Sequence, residues 1–143
     1  MSLEAKHEVL LTIPMYPDME LAAAKIASVL AELMDFEEGQ IEEIQLALIE
    51  TCINAFEHSQ SDDQRVFIEF IMKDDALELK VTDQGVGFES DDPDASTSQR
   101  PGLYPDMHKR GWGLEIVKTL MDEVDIESGL NGTTVSVIKK KTV

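Results

Sequence analysis

The sequence is poor in the residues that mark several common classes of protein. It has one cysteine in 143 residues, so no internal disulfide can form. Cys52 lies among apolar residues of a predicted helix, where a buried structural thiol is expected rather than a nucleophile. The three histidines are scattered, without the spacing of zinc ligands. No apolar run approaches the roughly 20 residues that a membrane span needs. The opening Met-Ser-Leu-Glu-Ala-Lys lacks the charged-then-apolar order of a signal peptide, so a cytoplasmic protein with no membrane contact is expected. Cations are scarce as well, 12 Lys and Arg against 29 Asp and Glu, for a net charge of −17. Such a surface repels phosphate backbones, and no basic stripe offsets it, which excludes direct nucleic-acid binding. An anionic ligand would need a divalent cation and backbone N–H groups rather than a lysine cluster.

What is present is enough for one compact domain over residues 1–143. The hydrophobic fraction is 43%, sufficient for a core, and no internal repeat or low-complexity stretch interrupts it. Val9–Ile13, closed by Pro14, reads as an opening strand. Pro17 and Asp18 signal a helix start, with Asp18 able to cap. Leu21, Ala24, Val29 and Leu33, with Leu30 beside them, give that helix an apolar face ending near Met34. A second helix runs from about Gly39 to His58. At about 100° per residue, Leu46, Leu48, Ile49, Cys52, Ile53, Ala55 and Phe56 fall on one side, and Glu50, Thr51, Asn54, Glu57 and His58 on the other.

Two alternating strands follow, Arg65–Met72 and another around Leu77–Val81, joined by a Lys73–Ala76 hairpin turn. From Glu89 to Lys109 the pattern vanishes, and unpatterned segments of this length often act as lids or binding loops. A third helix carries Leu114, Val117, Leu120 and Met121. Two short strands, near Val124–Glu127 and Thr133–Ile138, close the chain around a Gly129–Gly132 turn. Adjacent strands with helices gathered elsewhere predict an α+β fold, a two-layer sandwich whose mixed, mainly antiparallel sheet is backed by helices on one face.

Three segments carry chemistry. In Glu50-Thr-Cys-Ile-Asn54-Ala-Phe-Glu-His58 the i, i+4 spacing stacks Glu50 and Asn54 on one helix face, with His58 a turn further on. A carboxylate and an amide so placed could orient a hydroxyl and hold a hard cation; a solvated helix face has the same spacing. Asp83-Gln-Gly85-Val-Gly87-Phe88 follows a strand, where an aspartate can accept from an exocyclic amine and glycines let backbone approach a ligand. A plain turn is the alternative. A Rossmann fingerprint would need a third glycine opening a helix, and an acidic loop follows instead. Arg110-Gly111-Trp112-Gly113-Leu114 opens the third helix, where free N–H groups can meet an anion, or where glycines simply permit the turn. Arg110 could add a positive charge there or be an ordinary surface arginine.

In order and spacing these segments resemble the gyrase and histidine-kinase ATPase superfamily (GHKL), over roughly residues 9–140. Glu50 to Asn54 looks like its N box, Asp83, Gly85 and Gly87 its first glycine box, and Gly111 and Gly113 its second. Gly132-Thr133-Thr134 resembles the element closing the adenine pocket. The wording Glu-x-x-x-Asn-Ala-x-x-His, Arg-Gly-x-Gly-Leu and Leu120-Met-Asp-Glu-Val124 is most similar to the small anti-sigma-factor serine kinases. A sensor histidine kinase would carry a phosphoacceptor hairpin ahead of the first strand.

The resemblance implies ATP and Mg²⁺ as cofactors, with Glu50 as general base, Asn54 on magnesium, and Asp83 on the adenine amino group with Thr133 assisting. Gly85 and Gly87 would shape the pocket, Gly111 and Gly113 would set N–H groups beside the phosphates, and residues 89–110 would form the ATP lid. His58 would join the N-box network or cap the helix. Trp112 and the acidic lid depart from the family pattern. The implied partners are an anti-sigma-factor antagonist, a sigma factor and a second copy in a homodimer. Two other readings share these boxes: a nucleotide-responsive binding module with little catalysis, and a stand-alone histidine-kinase catalytic domain.

Overall fold

The computed structural model describes residues 7–58, 65–83, 114–129 and 132–142. In chain order these form β1 (His7–Pro14), α1 (Met19–Leu33), α2 (Glu38–His58), β2 (Arg65–Met72), β3 (Ala76–Asp83), a helical stretch α3 over 114–120, β4 (Glu123–Gly129) and β5 (Gly132–Lys140). The strands make one five-stranded sheet in the order β1-β2-β3-β5-β4, and every neighbouring pair is antiparallel. The expected α+β sandwich is therefore present, with no parallel pair among the described strands.

Alternation sets the layers. Val66, Ile68 and Phe70 of β2, Leu77, Leu79 and Val81 of β3, and Val135 and Val137 of β5 turn to one face and are buried. Ala23, Ala27, Leu30 and Ala31 of α1, Ile44, Ala47, Leu48 and Cys52 of α2, and Val117 of α3 cover that face and complete one core. At about 25 cal/mol per Å², burial of this apolar surface is the main force holding helices to sheet. The β2–β3 hairpin closes with the Lys73 N–H donating to the Ala76 carbonyl at 2.9 Å. Gly132, opening β5 at φ 128°, takes a backbone shape that a side chain would strain.

Three local expectations are corrected. Asp18 precedes α1, but in the left-handed region at φ 76° and without a side-chain capping bond. The face that α1 buries is its alanine face, while Leu21, Val29 and Leu33 are exposed, Leu33 by 73%. Small side chains let the helix approach its neighbours closely, and Ala22, Val29 and Leu33 form a second apolar stripe that the fold leaves outward, while Ile26 between the two packs partly against the core. In α2, Thr51 and Asn54 are buried and Leu46 is exposed, so the buried arc is rotated towards the polar side. Thr51 tolerates this because its hydroxyl donates to the Ala47 carbonyl at 2.7 Å, leaving no orphaned group.

Candidate active site

On α2, residues Glu43, Ala47, Glu50 and Asn54 recur at intervals of four, three and four, which puts them on one stripe flanking the core. Glu50 is half-buried and Asn54 is only 5% exposed. The Asn54 Oδ1 atom is buried without a hydrogen-bond partner among the described residues. A buried carbonyl left in that state costs about 1–3 kcal/mol, so it is a position where a ligand would be gained at low cost.

The sheet contributes a second polar group. Asp83 ends β3 on the inward face shared with Leu77, Leu79 and Val81, and its register partner across β5 is Thr133. Both are buried, Asp83 at 3% and Thr133 at 6% exposure. The Thr133 hydroxyl lies 3.1 Å from that of Ser128 on β4. Burying a carboxylate and a hydroxyl at a strand end is expensive unless each is used.

Two bonds place these groups at the same end of the helix-covered face. Near the start of α2, the Gln40 Nε2 donates to the Lys140 carbonyl at 2.9 Å, and the Lys139 ammonium donates to Glu43 at 2.6 Å. The start of α2 is thereby fixed over the end of β5, and the helix lies against β2, β3 and β5. From Glu43 to Asn54 the helix advances about 16 Å. From Lys139 back to Thr133 the strand covers about 20 Å. Asn54 and the Asp83–Thr133 pair therefore lie at the end of the layer opposite the Lys139 contacts, with Glu50 one turn before Asn54.

Gly85, Gly87, Arg110, Gly111 and Gly113 lie outside the described residues, as do Trp112, the side chain of His58 and the 89–110 segment. Among the described residues no cluster of three or more His, Cys, Asp or Glu could hold a metal. The polar side chains at these positions offer oxygens, the Asn54 amide carbonyl and the Glu50 carboxylate one turn before it, a donor type that would suit magnesium completed by phosphate oxygens. The inward Asp83 acceptor with the neighbouring Thr133 hydroxyl suits the amine edge of a nucleobase. Cys52 is fully buried, and burial, with the negative charge of Glu20 adding to it, pushes its thiol up to about 12. It stays protonated and plays no nucleophilic part. Sequence reasoning missed Lys139, which continues the inward alternation of Thr133, Val135 and Val137, and Ser128 beside Thr133. The first was available from strand period alone; the second required knowing that β4 pairs with β5.

Residues 16–139 match the family described as histidine kinase-like ATPase domain. The chain belongs to the histidine kinase-like ATPase family. Among curated members it is 33% identical to the serine-protein kinase RsbW of Bacillus velezensis, over 89% of this chain and 81% of that protein. It is 32% identical to the anti-sigma F factor of Geobacillus stearothermophilus, over 83% and 81%. A crystal structure of the RsbU and RsbW domains of a Mycobacterium tuberculosis protein has the same fold, with a TM-score of 0.69 and 16% identity over 94% of this chain. This chain spans 32% of that longer one. Within the histidine kinase-like ATPase family the chain is an ATP-using enzyme of the protein serine/threonine kinase class. No described helix is long and apolar enough to cross a membrane.

Proposed function

We propose that this cytoplasmic chain transfers the terminal phosphate of ATP to a serine of an anti-sigma-factor antagonist, and that it also sequesters a sigma factor, working as a homodimer. The observation that carries the reading is the buried, unpartnered Oδ1 of Asn54 on the stripe that carries Glu50, at the end of the core face occupied by Asp83 and Thr133. Asp83 accepts the adenine amino group, and Thr133 supports it from the facing strand. Asn54 presents its carbonyl to a magnesium ion, which when bound neutralises triphosphate charge. Glu50 takes the proton of the attacking serine hydroxyl. Gly85 and Gly87 let backbone approach the nucleotide, and Gly111 and Gly113, with Arg110 beside them, offer donors to the phosphates across the 89–110 lid. Phosphoryl transfer asks chiefly for positioning and charge neutralisation, which this set can supply.

Incubation with ATP, magnesium and a cognate antagonist is expected to give acid-stable phosphoserine. Glu50→Gln is expected to abolish transfer while sparing nucleotide binding. Failure of transfer to every cognate antagonist, with partner binding intact and indifferent to Glu50→Gln, would replace this reading by a nucleotide-responsive binding module. An acid-labile product would mark a histidine kinase instead.

A further inference from the structure

Asp83 of β3 is the register partner of Thr133 of β5, and Thr133 is in turn the partner of Ser128 of β4. Directly opposed residues share a face of the sheet, so these three oxygen-bearing side chains form one row across three neighbouring strands. The next row on that face, Val81, Val135 and Ile126, is apolar. Oxygen is thus confined to the strand ends where the base is read. Within the polar row the Thr133 and Ser128 hydroxyls lie 3.1 Å apart, at hydrogen-bonding distance. Asp83 and Thr133 are buried, whereas Ser128 is exposed.

A threonine hydroxyl has more than one staggered position open to it, and a bond to a neighbour selects among them. A hydroxyl carries one proton and two lone pairs, so the bond to Ser128 leaves Thr133 able to meet a ligand as well. We propose that Ser128 is a positioning residue for the nucleobase: its hydroxyl holds that of Thr133 at the place beside Asp83 where a ring nitrogen flanking the adenine amine arrives. This rests on the nucleotide reading above and adds to it a residue that acts through Thr133 alone. A serine that merely satisfied a buried threonine would affect every nucleotide alike. A positioning serine affects the contact made with one ring atom, and its effect disappears when that atom or the Thr133 hydroxyl is removed.

The test measures calorimetric dissociation constants, with magnesium present, for ATP, 1-deaza-ATP and 7-deaza-ATP. Each analogue replaces by C–H one of the ring nitrogens that flank the amine. Ser128→Ala, at an exposed position, is expected to weaken ATP about fivefold, the scale of one hydrogen bond. The analogue that lacks the nitrogen met by Thr133 is expected to lose nothing further, and the other analogue to lose as much as ATP. Ser128→Thr, which keeps the hydroxyl, is expected to bind ATP within about twofold of wild type. In a Thr133→Val background Ser128→Ala is expected to add nothing, because the two hydroxyls act as one unit. An equal loss across all the nucleotides, no loss for ATP, or a further loss in the Thr133→Val background overturns the proposal and leaves the nucleotide site standing. Failure of the wild-type chain to bind any of them overturns the nucleotide reading itself, and this inference with it.

Discussion

Asn54 is kept from water with a carbonyl oxygen that no described residue answers. A side chain chosen for stability would not be an amide there. Replacing it with an apolar side chain of similar volume, Asn54→Leu, removes the desolvation penalty and is expected to raise folding stability by about 1–2 kcal/mol while abolishing magnesium-dependent nucleotide binding. Urea unfolding midpoints and nucleotide titrations check the two halves of this trade. An unchanged or lower midpoint with binding retained would remove Asn54 from the site. Thr51, one turn of helix away, shows the contrasting case: a buried hydroxyl whose bond to Ala47 makes it a structural residue.

At the scale of elements, α1 is held by its smallest residues. Ala27 is fully buried against the core, so Ala27→Leu forces extra volume into filled space and is expected to cost about 1–3 kcal/mol. Leu33→Ser, on the outward stripe, is expected to change stability by no more than about 0.5 kcal/mol. Denaturant midpoints that reversed this order would mean that the buried face of α1 is the leucine face after all. The same helix explains what a sequence can and cannot disclose. β2 was legible residue for residue because Val66, Ile68, Phe70 and Met72 alternate at period two and a hairpin turn bounds them. The register of α1 was not, because apolar residues at helical spacing lie on two sides and size, not hydropathy, decides which side fits. In the site, Glu50, Asn54, Asp83 and Thr133 were legible as types and spacings. Burial of Asn54 was not, since an amide at helical spacing reads as solvated. The clamp of Lys139 joins residues far apart in the chain, which no local pattern brings together.

For the whole molecule, the excess of 29 acidic over 12 basic residues sets the terms on which a polyanion can be received. One of the few cations, Lys139, is already engaged internally. ATP with magnesium at 100-fold its dissociation constant is expected to stabilise the native state by about 2.7 kcal/mol. The same ATP with a chelator in place of the metal is expected to give little of that, because bare triphosphate meets a surface of its own sign. Thermal unfolding with and without chelator reads the difference; equal shifts would show that the metal is dispensable for binding. The antiparallel pairing of β3 with β5 has a consequence for how such a chain can diverge. Asp83 and Thr133 meet across it although a long stretch of sequence separates them. The entropy of closing that stretch grows only with the logarithm of its length, about 0.6 kcal/mol for each doubling. Insertions and deletions in the 89–110 segment thus leave the sheet nearly as stable as before, and its length is free to drift with whichever protein each descendant comes to serve.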